Sequence, residues 1–239
     1  MKSILITGAF GQLGLACSSA LQTKFRLIKT GLNANSVTNK LDISSKKSVE
    51  SFLGQHSPDI ILNLAAMTDV DGCERDPEGA NRINFEGVVN LCEGFKGYFI
   101  QLSTDYVFNG LKGPYLEEHP TDAICVYGQS KLDAEKFLIN SKINHTIIRA
   151  NVLYSYSPDT KASFLKWVVE SLKDSKGINV VRDQWNNPTW TSSLAVVIEK
   201  AIDKGLNGLI HWGDGDWISR YEFANKIAST FSLRTSLIK

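Results

Sequence analysis

The sequence predicts an α/β fold built on a doubly wound parallel sheet, and three observations carry that expectation. An apolar run, Ser3–Thr7, passes directly into Gly8-Ala9-Phe10-Gly11-Gln12-Leu13-Gly14 and then into Leu15, Ala16, Ala20 and Leu21 at helical spacing. Further short apolar runs alternate with amphipathic stretches, the rhythm of βαβ units with right-handed crossovers. Polar residues gather where the predicted strands end, and ligands of such sheets bind beyond the carboxyl ends of the strands.

The first strand is apolar throughout, as a strand buried on both faces must be. In the turn after it, Gly8 permits a tight reversal, Gly11 lets the backbone approach a pyrophosphate, and Gly14 lets the helix pack on the strand. Unpaired N–H groups and the positive dipole end of that helix would face the phosphates. The spacing is Gly-x-x-Gly-x-x-Gly, not Gly-x-Gly-x-x-Gly, and a strand-to-helix turn without a ligand is the alternative reading.

Residues 26–30 read as a second strand, 44–55 as a helix, and 59–63 as a third strand after Pro58. A longer helix starts near Asp76-Pro77-Glu78, where Asp caps and Pro fits the first turn, and runs through Ile83, Val88, Val89, Leu91 and Cys92. Residues 98–102 form a fourth strand that delivers Ser103 and Thr104 at its end. A helix through Tyr127, Lys131, Ala134, Phe137 and Leu138 leads to a fifth strand, 145–149, ending at Arg149-Ala150-Asn151.

Residues 1–150 are expected to form a nucleotide-binding domain, and 151–239 a smaller lobe with some segments returning to the sheet. Phe164, Trp167, Val168 and Leu172 mark an amphipathic helix there, and residues 178–181 a short strand. Asp183-Gln184-Trp185-Asn186-Asn187-Pro188-Thr189 reads as a polar loop suited to a substrate, or as a turn with buried Trp anchors. Ser219-Arg220-Tyr221-Glu222 resembles a capping box, and the helix after it, with Phe223, Ile227 and Phe231 on one face, reads as structural.

A chain of 239 residues with 43% hydrophobic content can bury a substantial core. Its net charge of +1, with both signs interspersed, carries no footprint for nucleic acid. No apolar run approaches the roughly 18 residues that span a bilayer, and the first strand begins too early for a leader. The expected setting is therefore the cytoplasm, without a membrane partner. Cys17, Cys73, Cys92 and Cys125 are widely separated and read as reduced thiols. His56, His119, His145 and His211 show no metal-ligand spacing, so no metal is expected.

The chemistry-bearing stretch is Tyr127-Gly128-Gln129-Ser130-Lys131, read with Ser103-Thr104-Asp105. Residues four apart share a helix face. A phenol holds its proton until pH about 10, so exchange near neutrality calls for a neighbouring cation. Thr104 could add a hydroxyl to the same substrate oxygen. The trio suits protonation of a carbonyl oxygen while hydride reaches the carbon; surface decoration is the alternative for an isolated Tyr/Lys pair.

With these residues assembled, the sequence resembles the extended short-chain dehydrogenase/reductase superfamily, in its dTDP-4-dehydrorhamnose reductase branch. The matching segments are residues 7–14, Leu41-Asp42-Ile43, residues 58–71, Ser103-Thr104-Asp105-Tyr106-Val107-Phe108, Val126-Tyr127-Gly128-Gln129-Ser130-Lys131, and Asp183-Gln184 before Pro188-Thr189. By that resemblance Thr104, Tyr127 and Lys131 are catalytic. Thr104 would bind the sugar's C4 carbonyl oxygen, Tyr127 would protonate it, and Lys131 would hold the nicotinamide ribose. Gly8, Phe10, Gly11, Gln12 and Leu13 would wrap the pyrophosphate. Asp42 and Ile43 would border the adenine, and Leu64, Ala65 and Ala66 the middle of the cofactor. Thr104, Asp105, Tyr106, Tyr127 and Val152 would meet the substrate. The implied reaction reduces a 4-keto-6-deoxy sugar nucleotide with NADPH or NADH, in surface polysaccharide synthesis, by a protein that could pair as a homodimer.

Three departures from the family pattern stand out. Val152 occupies a position where the family usually has tryptophan. The chain stops at Lys239, before an Arg-Pro-containing segment that family members carry, so a reduced or truncated lobe is expected. The second strand runs into Lys29-Thr30-Gly31-Leu32-Asn33 with no acid to grip an adenine-ribose hydroxyl, which favours NADPH or dual use. Two rival readings follow. The same branch includes a regulatory subunit of methionine adenosyltransferase that acts as a binding partner, and related epimerases and dehydratases retain the cofactor and return the hydride.

Overall fold

The computed structural model describes residues 1–32, 39–156 and 163–239; Asn33, the last residue of the segment without an acid after the second strand, lies outside them. The first 150 residues run β1 (Ser3–Thr7), α1 (Gln12–Leu21), β2 (Arg26–Gly31), β3 (Asn39–Lys40), α2 (Lys46–His56), β4 (Ile60–Asn63), α3 (Val70–Arg75), α4 (Pro77–Asn81), a π turn (Arg82–Glu86), α5 (Gly87–Cys92), β5 (Tyr98–Thr104), α6 (Val126–Ile139) and β6 (Asn144–Ala150). There follow β7 (Leu153–Tyr154), α7 (Phe164–Lys173), β8 (Trp185–Asn186), β9 (Thr189–Trp190), α8 (Thr191–Lys204), β10 (Gly208–Trp212), β11 (Ile218–Ser219) and α9 (Arg220–Thr230).

Seven strands form one sheet in the order β10-β6-β5-β4-β1-β2-β3, and every neighbouring pair is parallel. Strand order reverses beside β1, so the crevice expected of a doubly wound sheet opens between the ends of β1 and β4. The strands are apolar on both faces because both faces are covered. Ile4, Ile6, Ile60, Leu62, Tyr98, Ile100 and Ile148 pack against α1 and α8. Leu5, Ile61, Phe99 and Ile147, pointing the other way, pack against α2, α5 and α6. This is the period-two alternation of a strand with a helical layer on each side.

The helix expected from Asp76 to Cys92 is present, capped by Asp76, which accepts the Gly79 N–H at 2.9 Å, and it carries a π turn within it that the sequence did not announce. Several other expectations are corrected. Residues 178–181 form no strand; Ile178 makes a lone parallel bridge to Ile238. The loop reading for 183–189 gives way in part, since β8 inside it pairs antiparallel with β11. Residues 208–212, unassigned in the sequence reading, add β10 to the main sheet beside β6. The capping box at Ser219 and Glu222 is present in full. A separate apolar cluster holds α7 and α9 together, with Leu165, Val168, Phe223 and Ile227 at its centre.

The glycine turn shows why its spacing is used. Gly8 has φ +62°, and a Cβ there would lie 2.8 Å from the Leu64 carbonyl carbon and 2.9 Å from the Ala65 nitrogen. A Cβ on Gly14 would lie 2.5 Å from the Gly8 carbonyl oxygen and 2.6 Å from Ala9. Both neighbours are backbone and cannot swing aside. Gly14→Ala is therefore expected to destabilise the protein by about 1–3 kcal/mol, the usual cost of overpacking, read as a lower urea midpoint with an unchanged slope.

Candidate active site

The site lies where β1, β4 and β5 end. Thr7 Oγ1 donates to Asn63 Oδ1 at 2.5 Å and accepts the N–H groups of Leu64 and Ala65 at 3.1 Å each. Asn63 Nδ2 passes the chain on to Gln101 Oε1 at 2.8 Å. These buried bonds fix the segment after β4 against the glycine turn.

A nicotinamide dinucleotide, which the resemblance implies, can be tested against these residues. Gly11 caps α1 with no side-chain hydrogen bond and no acidic residue in the first turn, which leaves N–H groups and a positive dipole end for an anion. Phe10 is 41% exposed, and its ring edge lies 3.0 Å from where a Gly31 Cβ would stand, at the end of β2. Lys131 is buried at 4% exposure, and among the described residues its charge is addressed only by Glu135 through space. An ammonium without an acceptor is what a ribose diol would satisfy. The residues fit the cofactor.

Several of the residues expected to meet the cofactor also have partners within the protein. Leu13 is buried in the core, so only its backbone is available at the helix start. Gln12 Oε1 accepts the N–H and the hydroxyl of Ser155, at 3.1 and 3.3 Å. Asp42 accepts the N–H and hydroxyl of Ser44, at 3.0 and 2.7 Å. Ile43 is buried beneath Gly87, and its carbonyl accepts Asn90 Nδ2 at 2.9 Å. Ala66 is half-buried beside Ala65.

The three residues expected to be catalytic converge. Thr104 ends β5 and is buried; Tyr127 and Lys131 stand one turn apart on α6, and the Thr104 hydroxyl is near enough to the Tyr127 phenol to act on its pKa. The intervening residues explain themselves. A Cβ on Gly128 would lie 2.2 Å from the Tyr106 carbonyl oxygen, so only glycine lets α6 press on the Tyr106 segment. Ser130 Oγ donates to the Tyr127 carbonyl at 2.8 Å and accepts Asn84 Nδ2 at 3.0 Å. Asn84, in the π turn, also clamps Met67 through bonds of 2.8 and 3.0 Å. No sequence signal marked Asn84; its place becomes visible only when the turn folds under α6.

The remaining expected substrate contacts lie around Thr104. Its hydroxyl accepts the Tyr106 N–H and donates to Asp105 Oδ1, both at 3.2 Å. Tyr106 meets Tyr127 edge to face, ring centres 5.6 Å apart. Burial raises the Asp105 carboxyl above its usual range, against hydrogen bonds from Thr104 and Asn151 that lower it. Val152 adopts φ +42° and packs toward the α7/α9 cluster. Beneath the trio, Glu135 and Arg149 form a buried pair with bonds of 2.6 and 2.9 Å, and Ser103 donates to Glu135.

The phenol differs from the sequence expectation. Burial raises the Tyr127 pKa above its ordinary value, with Thr104 as the opposing influence. Desolvation pulls Lys131 down to about 8, opposed by Glu135. Before any ligand binds, Tyr127 is thus a protonated donor.

Comparison with known proteins decides the relationship. Residues 1–239 match the family model described as the RmlD substrate binding domain. The chain belongs to that family. It is 33% identical over 244 residues to the spore coat polysaccharide biosynthesis protein SpsK of Bacillus subtilis, covering 100% of this chain and 82% of that protein. The dTDP-4-dehydrorhamnose reductase of Sinorhizobium fredii is 32% identical, with 95% of this chain and 78% of that protein covered. The dTDP-4-dehydrorhamnose reductase of Bacillus anthracis, solved in complex with NADP, superposes with a TM-score of 0.89 at 32% identity, covering 98% of this chain and 82% of that one.

The depressed Lys131 pKa makes a stability prediction. The unfolded chain binds this proton up to its ordinary 10.5, the folded one only to about 8. Folding therefore releases a proton between those values, and stability rises with pH across the window. Relative to Lys131→Met, the ligand-free protein should gain roughly 2 kcal/mol between pH 8 and pH 10 in urea unfolding.

Proposed function

We propose that this protein is an NAD(P)H-dependent reductase acting on the C4 keto group of a 4-keto-6-deoxy sugar nucleotide. The observation that carries the reading is the meeting of Thr104 and Tyr127 at the end of β5, with the Lys131 ammonium buried one turn away. The family's reductases and their NADP complex support it.

In this reading the glycine turn and the start of α1 hold the pyrophosphate, and Lys131 donates to the nicotinamide ribose. A bound reduced nicotinamide supplies the hydride. Thr104 orients the substrate's carbonyl oxygen, and Tyr127 gives its proton to that oxygen as the alkoxide develops. Reduction needs an acid, and burial keeps the phenol protonated for the task. Lys131 and the Thr104 hydroxyl stabilise the phenolate left behind until solvent restores its proton. Asp105, Tyr106 and Val152 border the sugar. NADPH is the favoured donor because β2 carries no acid at Lys29-Thr30-Gly31. Likeness to SpsK supports a place in surface polysaccharide synthesis.

Tyr127→Phe should lower turnover by roughly 10²–10⁴-fold while NADPH affinity stays within about twofold. The check is absorbance of the reduced nicotinamide with keto-deoxysugar nucleotides, beside a fluorescence titration of the cofactor. Equal turnover in the variant would remove Tyr127 as the acid. A wild-type protein that binds NADPH yet oxidises it with no keto-sugar would favour the regulatory-subunit reading.

A further inference from the structure

Arg220 opens α9, where the Ser219–Glu222 capping box already satisfies the helix start. Its backbone N–H donates to the Gln184 carbonyl at 2.9 Å, and its Nε donates to Gln184 Oε1 at 3.3 Å. The guanidinium lies over the Phe164 ring, 5.0 Å from its centre. From that anchorage it faces Tyr106 and Asp105 after the end of β5, whose charges act on it, and the Tyr106 ring packs on Tyr127.

A guanidinium carries five N–H donors. Gln184 engages one of them, while Tyr106 and Asp105 act on the charge. Among the described residues, no protein acceptor meets hydrogen-bond geometry with the remaining donors. Arg149 shows the contrast: it is buried as a structural arginine, with its fork filled by Glu135. Arg220 is half-buried, and its desolvation is uncompensated by any contacting carboxylate. Such a group is suited to an oxyanion arriving from outside.

We propose that Arg220 contacts the substrate, its guanidinium receiving an anionic oxygen of the diphosphate in a nucleoside-diphosphate sugar. The inference rests on the reductase reading for the sugar's position over Thr104 and Tyr127. Tyr106 stands between Arg220 and the proton donor, as the hexose ring stands between C4 and the anomeric oxygen that bears the diphosphate. Gln184 then acts as the positioning residue, fixing the fork.

The test is calorimetric binding of thymidine diphosphate and of thymidine to the NADPH-loaded full chain, in wild type, Arg220→Gln, Arg220→Met and Arg220→Lys. Loss of a charge-assisted contact should weaken the diphosphate roughly 10–100-fold in the Gln and Met variants. Thymidine affinity should hold within about twofold, and Lys should restore most of the difference. Met keeps an apolar stem over Phe164, so it serves if Gln fails to fold, and NADPH affinity reports the fold of each. Equal diphosphate affinity in wild type and variants overturns the proposal. So does equal weakening of thymidine, the mark of a purely structural arginine, and so does a wild type that binds neither ligand. Arg220-dependent diphosphate binding without turnover of any keto-sugar would sustain this inference and sink the reductase reading.

Discussion

The structure depends on a close approach of two backbones at the switch point of the sheet. The chain leaving β1 and the chain leaving β4 come within a distance that excludes any side chain at Gly8, and Thr7 joins them with three hydrogen bonds. From there the restraint is passed on by contact. The segment that begins at Leu64 reaches Met67, Met67 is clamped by Asn84, and Asn84 holds Ser130, which is bonded to the Tyr127 carbonyl. The start of α1, where an anion would bind, and the phenol on α6 are thereby set in one frame. Neither is adjustable alone.

Two buried cations beneath that frame are handled in opposite ways. Arg149 is paired with Glu135, and the Ser103 hydroxyl supports the carboxylate. A buried ion pair of this kind offsets its own desolvation only through such added bonds. Lys131 sits one turn from the same Glu135 and receives its field without a contacting acceptor among the described residues. The fold keeps an unsatisfied ammonium where a ligand with paired hydroxyls would complete it. Cofactor binding and relief of the buried charge are then the same event, and the Lys131 pKa should rise when the ribose arrives.

Much of this was legible in the sequence because local rules coincided with global ones. The short apolar runs became β1, β4, β5 and β6, Asp76 and Ser219 capped their helices, and the strand ends carried the polar residues now gathered in the site. Elements that depend on distant partners were not legible. Residues 208–212 are a strand only because β6 offers them an edge, and their own sequence, Gly-Leu-Ile-His-Trp, is short and ends in exposed Trp212. The π turn under α6 follows from where Asn84 must reach, which no spacing encodes. Arg220 read as part of a cap because its neighbours Ser219 and Glu222 do form one; the direction of its side chain is a tertiary fact. Asp42 and Ile43 matched a motif, yet their side-chain contacts are with Ser44 and Gly87.

Val152 shows how the lobe is fastened to the sheet at a cost. A β-branched residue at φ +42° is a true conformational outlier, of order 1–3 kcal/mol, and it persists only if its surroundings over-determine it. They do. Its carbonyl accepts the Thr189 N–H at 3.1 Å, β7 immediately pairs with β9, and its side chain joins the apolar cluster between α7 and α9. The strained turn therefore directs Val152 into the lobe's core and brings Ser155 onto Gln12 of the glycine turn. With Arg220 of α9 facing Tyr106, the lobe meets the sheet on both sides of the crevice. A sugar nucleotide bound there would be gripped by two bodies already held in register, which is how a small lobe can orient a large substrate against a fixed acid.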